Sequence, residues 1–77
     1  SLIPETQLKI LRSLANSPSH GYSLHKEVGV ATSTIYSHLD ELEDAGMVES
    51  TTIEEDNRNK TQYKITEDGK VLLKLLT

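Results

Sequence analysis

The stretch HGYSLHKEVGVATSTIYSHLDELEDAG, residues 20–46, decides the fold that we predict for this chain. Apolar residues recur at helical spacing on both sides of its central glycine, Gly29; they are Leu24, Val28, Ile35, Leu39 and Leu42. A glycine often ends a helix because it adopts the left-handed backbone at little cost. Two helices joined by a short glycine-containing turn pack at a steep angle. The stretch therefore predicts a helix-turn-helix: one helix from about His20 to Val28, and a second that is capped by Thr32 or Ser33 and runs to about Ala45.

The two ends of the chain predict one further helix each. Residues 5–16 show helical apolar spacing and follow Pro4, a residue that is tolerated at a helix start. Near the other end, Thr66 is placed to cap a helix over residues 67–76. The acidic first turn of that helix and Lys74 near its end suit the helix dipole.

Between the helix-turn-helix and the last helix, the apolar pattern becomes that of strands. Residues 47–53 and 62–65 are rich in β-branched residues or alternate in polarity, and the polar residues 54–60 lie between them, which predicts a β-hairpin. Residues 17–19 are also compatible with a short strand. Three helices, a two-stranded hairpin and a C-terminal helix form an α+β, mostly α, winged helix-turn-helix.

The composition limits the classes of protein to which this chain can belong. At 77 residues we expect one domain over residues 1–77. The chain has no Cys, which excludes disulfides and thiolate metal sites and fits a reducing cytosol. No apolar run approaches the roughly 18 residues that a membrane span needs. We therefore expect a cytoplasmic protein that does not associate with a membrane.

The outer face of the third predicted helix is the main candidate for contact with double-stranded DNA. With the apolar stripe turned inward, a polar set faces outward or flanks that face: Thr32, Ser33, Thr34, Tyr36, Ser37 and His38. Hydroxyl groups bond base edges and phosphates, and the N-terminal residues of a recognition helix are the ones that reach bases in the major groove. The second half of the helix is acidic (residues 40–44), so this prediction requires that half to point away from DNA.

Basic and amide side chains of the hairpin are candidates for contact with the DNA backbone or minor groove. They are Asn57, Arg58 and Lys60, and Lys26 on the second helix is a further candidate. The net charge of −4, from 12 acidic and 8 basic residues, counts against binding of nucleic acid. The acidic residues 54–56 at the same tip weaken the attraction further.

Three segments resemble those of PadR-like transcriptional regulators. The segment HGYSL (residues 20–24) is similar to the family's HGYxL, and TSTIYSHLDELEDAGMVES (residues 32–50) resembles its recognition helix and first wing strand, with Tyr36 matching the family's tyrosine. YKITEDGK (residues 63–70) resembles its second wing strand and following helix. The resemblance spans residues 7–76 and implies a cytoplasmic, homodimeric, DNA-binding repressor that is sometimes responsive to a small molecule. The wing sequence DNRNK is less basic than in many relatives, and the extended C-terminal helices that often dimerise them are missing from this sequence. Whether the chain senses an effector is therefore left open.

Surplus apolar residues on the first and last helices predict a homodimer interface. They are Ile10, Leu14, Leu73 and Leu76.

The predicted function is sequence-specific binding of double-stranded DNA by a transcriptional regulator, with no cofactor and no metal. The alternative is a winged-helix module that binds another protein, and the net negative charge suits that use better. An enzyme is not predicted, because no nucleophile–base pair or phosphate-binding glycine loop is present and the three histidines lack ligand spacing on one helix face.

Overall fold

The computed structural model describes residues 3–77, which form four helices and one antiparallel sheet of three strands. In chain order the elements are α1 (Glu5–Asn16), β1 (Ser19–His20), α2 (Gly21–Val28), α3 (Thr32–Asp44), β2 (Val48–Glu55), β3 (Arg58–Ile65) and α4 (Glu67–Leu76). The winged helix-turn-helix predicted from the sequence is confirmed. The bounds predicted for α1 and α4 are those observed.

One core packs the helix-turn-helix, formed by α2 and α3, against the wing, which is the hairpin of β2 and β3. Its ten buried hydrophobic side chains come from α1, α2, α3, β2 and β3: Ile10, Leu11, Leu14, Leu24, Ile35, Leu39, Leu42, Val48, Tyr63 and Ile65. Burial of each such aliphatic side chain contributes about 1.5–3 kcal/mol. Leu72 and Leu73 of α4 pack against this cluster while remaining partly exposed. The position of α3 is therefore fixed by its apolar stripe, which leaves its polar face free.

The turn between α2 and α3 depends on Gly29 and on His25, for which no role in the turn was predicted. Gly29 has a left-handed backbone with φ +83°, and its N–H donates to the carbonyl of His25 at 3.0 Å. The His25 Nδ1 atom lies 2.5 Å from the Val30 carbonyl oxygen and so donates across the turn. These two hydrogen bonds stabilise the turn that leads from α2 into α3.

The cap predicted for α3 was wrong. The residue at the N-cap is Ala31, and Thr32 is already the first helical residue. The helix starts one residue earlier because Ala31 keeps an extended backbone while its carbonyl accepts from the N–H of Ile35 at 3.1 Å. The hydroxyls of Thr32 and Ser33 are thus part of the helix surface.

The wing is longer than predicted, because residues 54–60 are not a loop. β2 and β3 stay paired from Val48↔Ile65 out to Glu55↔Arg58. Only Asp56 and Asn57 form the turn, with φ 51° and 60°. Asp and Asn tolerate this conformation, and two residues of positive φ match the twist of a hairpin. The polar sequence gave no sign of these strands, because Glu54 and residues 58–61 are exposed and so show no apolar alternation.

A short third strand extends the sheet on the other side of β3. The strand order is β1-β3-β2, with Ser19 paired to Tyr63 and His20 to Gln62. The sequence was compatible with a strand at residues 17–19, and the observed one lies at Ser19–His20. Because His20 belongs to this strand, α2 begins at Gly21 rather than at His20.

The predicted cap of α4 is confirmed. The Thr66 Oγ1 atom accepts from the Gly69 N–H at 3.0 Å and donates to the Gly46 carbonyl at 2.6 Å. The Thr66 N–H donates to the Met47 carbonyl at 3.0 Å. The start of α4 is therefore attached directly to the chain that leaves α3.

Three of the four residues predicted for a dimer interface belong to this subunit's own packing. Ile10 and Leu14 are 0% and 2% exposed, because the face of α1 that carries them packs into the core. Leu73 also packs against the core. The exposed large apolar side chains of α4 are instead Val71, at 57%, and Leu75, at 77%. Within residues 3–77, no helix combines the length and the apolar character needed to cross a bilayer.

Candidate nucleic-acid interface

The first half of α3 presents a polar face, as predicted. Ser33, Thr34, Tyr36 and Ser37 are exposed, and Thr32 is half-buried. Ile35, Leu39 and Leu42, on the other side of the helix, are buried. This division follows from the spacing of the apolar residues and leaves hydroxyl groups over the first two turns.

The start of α3 also offers backbone donors. Ala31 has no side-chain oxygen that could accept from the N–H groups of the first helical turn. Such groups at a helix start bind anions through hydrogen bonds and the positive end of the helix dipole. The change from a Thr or Ser cap to Ala31 therefore makes this end of α3 better suited to a phosphate.

A groove of about 490 Å³ separates the first turn of α2 from α3 and the wing. Its lining residues come from β1, α2, α3 and β3: His20, Tyr22, Ser23, Tyr36, Asn59, Lys60 and Thr61. None of these seven side chains is a carboxylate, whereas the chain as a whole is acidic. The residues that line the groove are thus polar or aromatic, and none of them is acidic.

The sequence predicted Tyr36 and Lys60 as contact residues of this groove, and Asn59 belongs to the predicted hairpin tip. No contact was predicted for Thr61, which follows that tip. The strand alternation now puts Asn59 and Thr61 on the same side of β3 as buried Tyr63. His20 was predicted to be the first residue of a helix, but it is a strand residue paired with Gln62.

Tyr36 is held in place by its neighbours. Its ring packs directly over Gly21, where a Cβ atom would lie 2.6 Å from the ring, and its centroid is 6.5 Å from that of Tyr63. Burial raises the pKa of the Tyr63 phenol above its ordinary value, and the charges of Tyr36, Glu43 and Asp40 add to the shift. The absence of a side chain at Gly21 is what admits the Tyr36 ring to this position at the edge of the groove.

The predicted basic residues lie at two places around α3. Arg58 is the first residue of β3, Asn57 is in the turn, and Lys60 lies opposite Ile53. Arg58 and Lys60 point to the same side of the strand because they are two residues apart. The Lys26 ammonium lies 4.8 Å from the centroid of the Tyr22 ring, a cation–π contact that holds it near the groove.

His38 flanks the exposed polar face of α3 and turns toward α1. It is half-buried, and its Nδ1 atom accepts from the Gln7 amide at 3.0 Å. The same amide donates to Glu41 at 2.7 Å. His38 faces α1 because it follows Ile35 by three positions and shares the inward side of α3.

The acidic second half of α3 is partly engaged by neighbouring elements. Glu41 accepts from Gln7 of α1, and Glu43 accepts from the Ser50 hydroxyl of β2 at 2.6 Å. These bonds hold two of the carboxylates toward the protein. The polar first half and the acidic second half of α3 are therefore separate surfaces.

Comparison with known sequences assigns the chain to a family. Residues 10–75 match the description "Transcriptional regulator PadR-like family". The chain belongs to the PadR-like family. A relative in Methanocaldococcus jannaschii, an uncharacterized HTH-type transcriptional regulator, is 38% identical over 74 residues, which is 90% of this chain and 78% of the relative. The prediction of a DNA-binding transcriptional regulator is confirmed at the level of the family.

Solved structures agree with the PadR-like assignment. A putative transcriptional regulator of Thermoplasma acidophilum superposes with a TM-score of 0.84 at 31% identity, over 88% of this chain and 72% of that one. Bacillus subtilis PadR, solved in complex with operator DNA, superposes with a TM-score of 0.87 at 24% identity. That match covers 95% of this PadR-like chain but only 46% of the Bacillus protein, and at this identity it shows the fold.

Proposed function

We propose that this PadR-like regulator acts in the cytoplasm by binding double-stranded DNA, with the first half of α3 in the major groove and the wing on the backbone. One observation carries the proposal: the start of α3 has no side-chain cap, and its first two turns carry exposed hydroxyl groups. Thr32, Ser33, Thr34 and Ser37 are the candidates for base edges and nearby phosphates. The Bacillus protein of the same fold was solved with operator DNA, which supports this use of the fold.

Half of the twelve acidic residues lie away from the proposed reading face, whereas residues 54–56 lie on the wing itself. Asp40, Glu41, Glu43 and Asp44 occupy the second half of α3, behind its proposed reading face. Glu67 and Asp68 lie at the start of α4, where they favour the helix dipole. The basic wing residues and Lys26 are then left to neutralise phosphates.

Selection from a random duplex library tests the proposal directly. The recovered duplexes should share a sequence, and the logarithm of their affinity should fall linearly with the logarithm of salt concentration, by about 0.9 for each phosphate contacted. A library that yields no enriched duplex, together with no mobility shift at low salt, would contradict the proposal. Co-purification of the chain with a protein but not with DNA would favour the interaction-module alternative.

Replacing Arg58 by alanine should weaken binding to all duplexes alike. Arg58 projects from the outer wing, so we infer that it neutralises one phosphate and reads no base. The affinity for selected and random duplexes should fall by a similar factor, and the salt slope should decrease by about 0.9. Lys74→Ala is the matched control, because it removes one positive charge from the far end of α4. A variant that changes the preferred sequence would show that Arg58 is a base reader.

We also propose that two copies pair through α4. Val71 and Leu75 are one helical turn apart and highly exposed, and half-buried Leu76 adjoins Leu75. Exposed apolar side chains grouped on one face are typical of a subunit interface. A two-fold pair would present two recognition helices to half-sites about 34–36 Å apart, or a multiple of that distance.

Replacing Leu75 by glutamate should convert the proposed dimer into a monomer. The substitution puts a charge at the most exposed apolar position of α4, where burial against a partner would leave it without water. Sedimentation should then show a dimer for the wild type and a monomer for the variant, with helix content unchanged. Lys74→Glu is the charge control on the same helix. A wild type that sediments as a monomer at high micromolar concentration would contradict the dimer.

A further inference from the structure

The amide of Gln7, on α1, is hydrogen-bonded to two residues of α3. Gln7 is 5% exposed, and its Nε2 atom lies 2.7 Å from Glu41 Oε2 and 3.0 Å from His38 Nδ1. The Glu41 carboxylate can only accept hydrogen bonds, so the amide turns its nitrogen, and not its oxygen, toward α3. That nitrogen has two hydrogens and donates one to each residue. Nδ1 of His38 is therefore an acceptor with a lone pair.

The same contact determines where the His38 ring carries its proton. An imidazole with a lone pair at Nδ1 is neutral and has its N–H group at Nε2. Within residues 3–77, Nε2 of His38 bonds no other group, and no buried or half-buried side chain there has an inaccessible nitrogen or oxygen without a partner. Nε2 of His38 therefore reaches the surface, where its N–H group is available as a donor.

His38 lies at the side of the proposed reading face. It is one helical turn after exposed Thr34 and directly after exposed Ser37, and its bond to Gln7 places the ring on the side of α3 that faces α1. When a helix lies in the major groove, the middle of its outer face meets base edges. Its two sides meet the sugar-phosphate walls of the groove, where phosphate oxygens are the acceptors. A donor at the position of His38 therefore suits a phosphate rather than a base.

We propose that the Nε2–H group of His38 donates to a phosphate oxygen of the bound duplex and that Gln7 positions the ring for this contact. The proposal rests on the proposed function, since it requires that the chain bind DNA. The contact is made by a neutral donor, whereas Arg58 acts on a phosphate through its charge. Gln7 itself is buried in α1 and acts only through His38.

Replacing His38 by alanine should weaken binding to all duplexes alike and leave the salt dependence unchanged. Loss of a hydrogen bond to a charged group lowers the affinity about tenfold. The factor should be equal for selected and random duplexes, because a phosphate carries no sequence information. The salt slope should stay as in the wild type, because a neutral donor displaces no counterion, whereas Arg58→Ala lowers that slope. The measurement is fluorescence anisotropy in mildly alkaline buffer over a series of salt concentrations.

Three results of this titration would overturn the phosphate contact. They are an affinity equal to that of the wild type, a change in the preferred sequence, which would identify a base contact, and a salt slope lower by about 0.9, which would identify a cation. Asn16→Ala is the matched control, because it removes a neutral polar side chain from an exposed position at the end of α1. It should bind DNA as the wild type does.

Replacing Gln7 by methionine tests the positioning role. Methionine has a similar length but no donor, so Nδ1 of His38 loses its partner and the ring is free to turn. The affinity should fall about threefold or more, as expected for two residues in contact. In the His38→Ala background, Gln7→Met should cause no further loss. If Gln7→Met lowered the affinity by the same factor with and without the His38 ring, its role would be structural and the positioning role would be overturned.

The nitrogen NMR spectrum of the His38 ring is a readout that needs no DNA. In mildly alkaline buffer the wild type should carry its proton on Nε2, and the Nδ1 resonance should shift in Gln7→Met. A proton on Nδ1, or an Nδ1 resonance that does not shift, overturns the proposal. If Gln7→Met fails to fold, Gln7→Leu replaces it.

The outcomes separate this proposal from the proposed function. A wild type that binds the selected duplex as tightly as His38→Ala does overturns the His38 contact alone. A wild type that binds no duplex at low salt overturns both, even when the proton is on Nε2.

Discussion

Replacing Ser33 by glutamate should abolish DNA binding while leaving the protein folded. Ser33 is the second residue of α3 and is exposed on the proposed reading face. A carboxylate there would meet phosphates and base-edge acceptors, and a like-charge contact in an interface costs several kcal/mol, equivalent to a loss of about 100-fold or more in affinity. The measurement is a titration of the selected duplex by fluorescence anisotropy.

The same substitution should have the opposite effect on stability. A negative charge in the first turn of a helix interacts favourably with the helix dipole, by about 0.3–1 kcal/mol. The free energy of unfolding of Ser33→Glu should therefore equal or slightly exceed that of the wild type. This separation between loss of binding and retained stability excludes misfolding as the cause.

Controls for Ser33→Glu use the same charge elsewhere on the chain. Ser17→Glu adds a carboxylate at an exposed position after α1 and should bind DNA nearly as well as the wild type. Ser37→Glu, one turn further along α3, should lose binding as Ser33→Glu does. If Ser33→Glu retained sequence preference while Arg58→Ala lost it, the proposed roles of α3 and the wing would have to be exchanged.

Replacing Gly69 by alanine should lower the free energy of unfolding by about 3 kcal/mol or more, the range of strong overpacking. Gly69 lies in the first turn of α4, and a Cβ atom there would be 2.1 Å from the Met47 carbonyl oxygen and 2.7 Å from the Ile65 side chain. The Met47 oxygen also accepts from Thr66, so the backbone on that side has little freedom to move. Helix propensity alone predicts the reverse, since alanine is favoured over glycine by about 1 kcal/mol within a helix.

Urea unfolding of three variants distinguishes a steric clash between position 69 and Met47 from the general cost of replacing a glycine by alanine. Gly29→Ala is the matched control, because its Cβ atom would have nothing within 4 Å and only the left-handed backbone opposes it. We expect a loss of about 1–2 kcal/mol there. Gly69→Ser should be at least as unstable as Gly69→Ala. A Gly69→Ala protein as stable as the wild type would show that α4 can move away from Met47 without cost.

Local sequence patterns determined the helices of this PadR-like domain. Helical spacing within residues 5–16 and the Thr66 cap before residues 67–76 fixed both terminal helices to the residue, because these signals act within one or two turns of the chain. The glycine corner at Gly29 and the apolar stripe of Ile35, Leu39 and Leu42 likewise determined which face of α3 is exposed.

Only the tertiary structure decided which parts of the chain lie beside the exposed face of α3. The outer wing is paired although its sequence is polar, because pairing depends on the partner strand and on the left-handed turn at Asp56 and Asn57 rather than on hydrophobic alternation. The residues that meet in the groove come from β1, α2, α3 and β3, so no spacing along the chain reveals them. The tertiary structure likewise decided that Ile10 and Leu14 belong to the core while Leu75 faces solvent, since two helices with similar apolar content differ only in what packs against them.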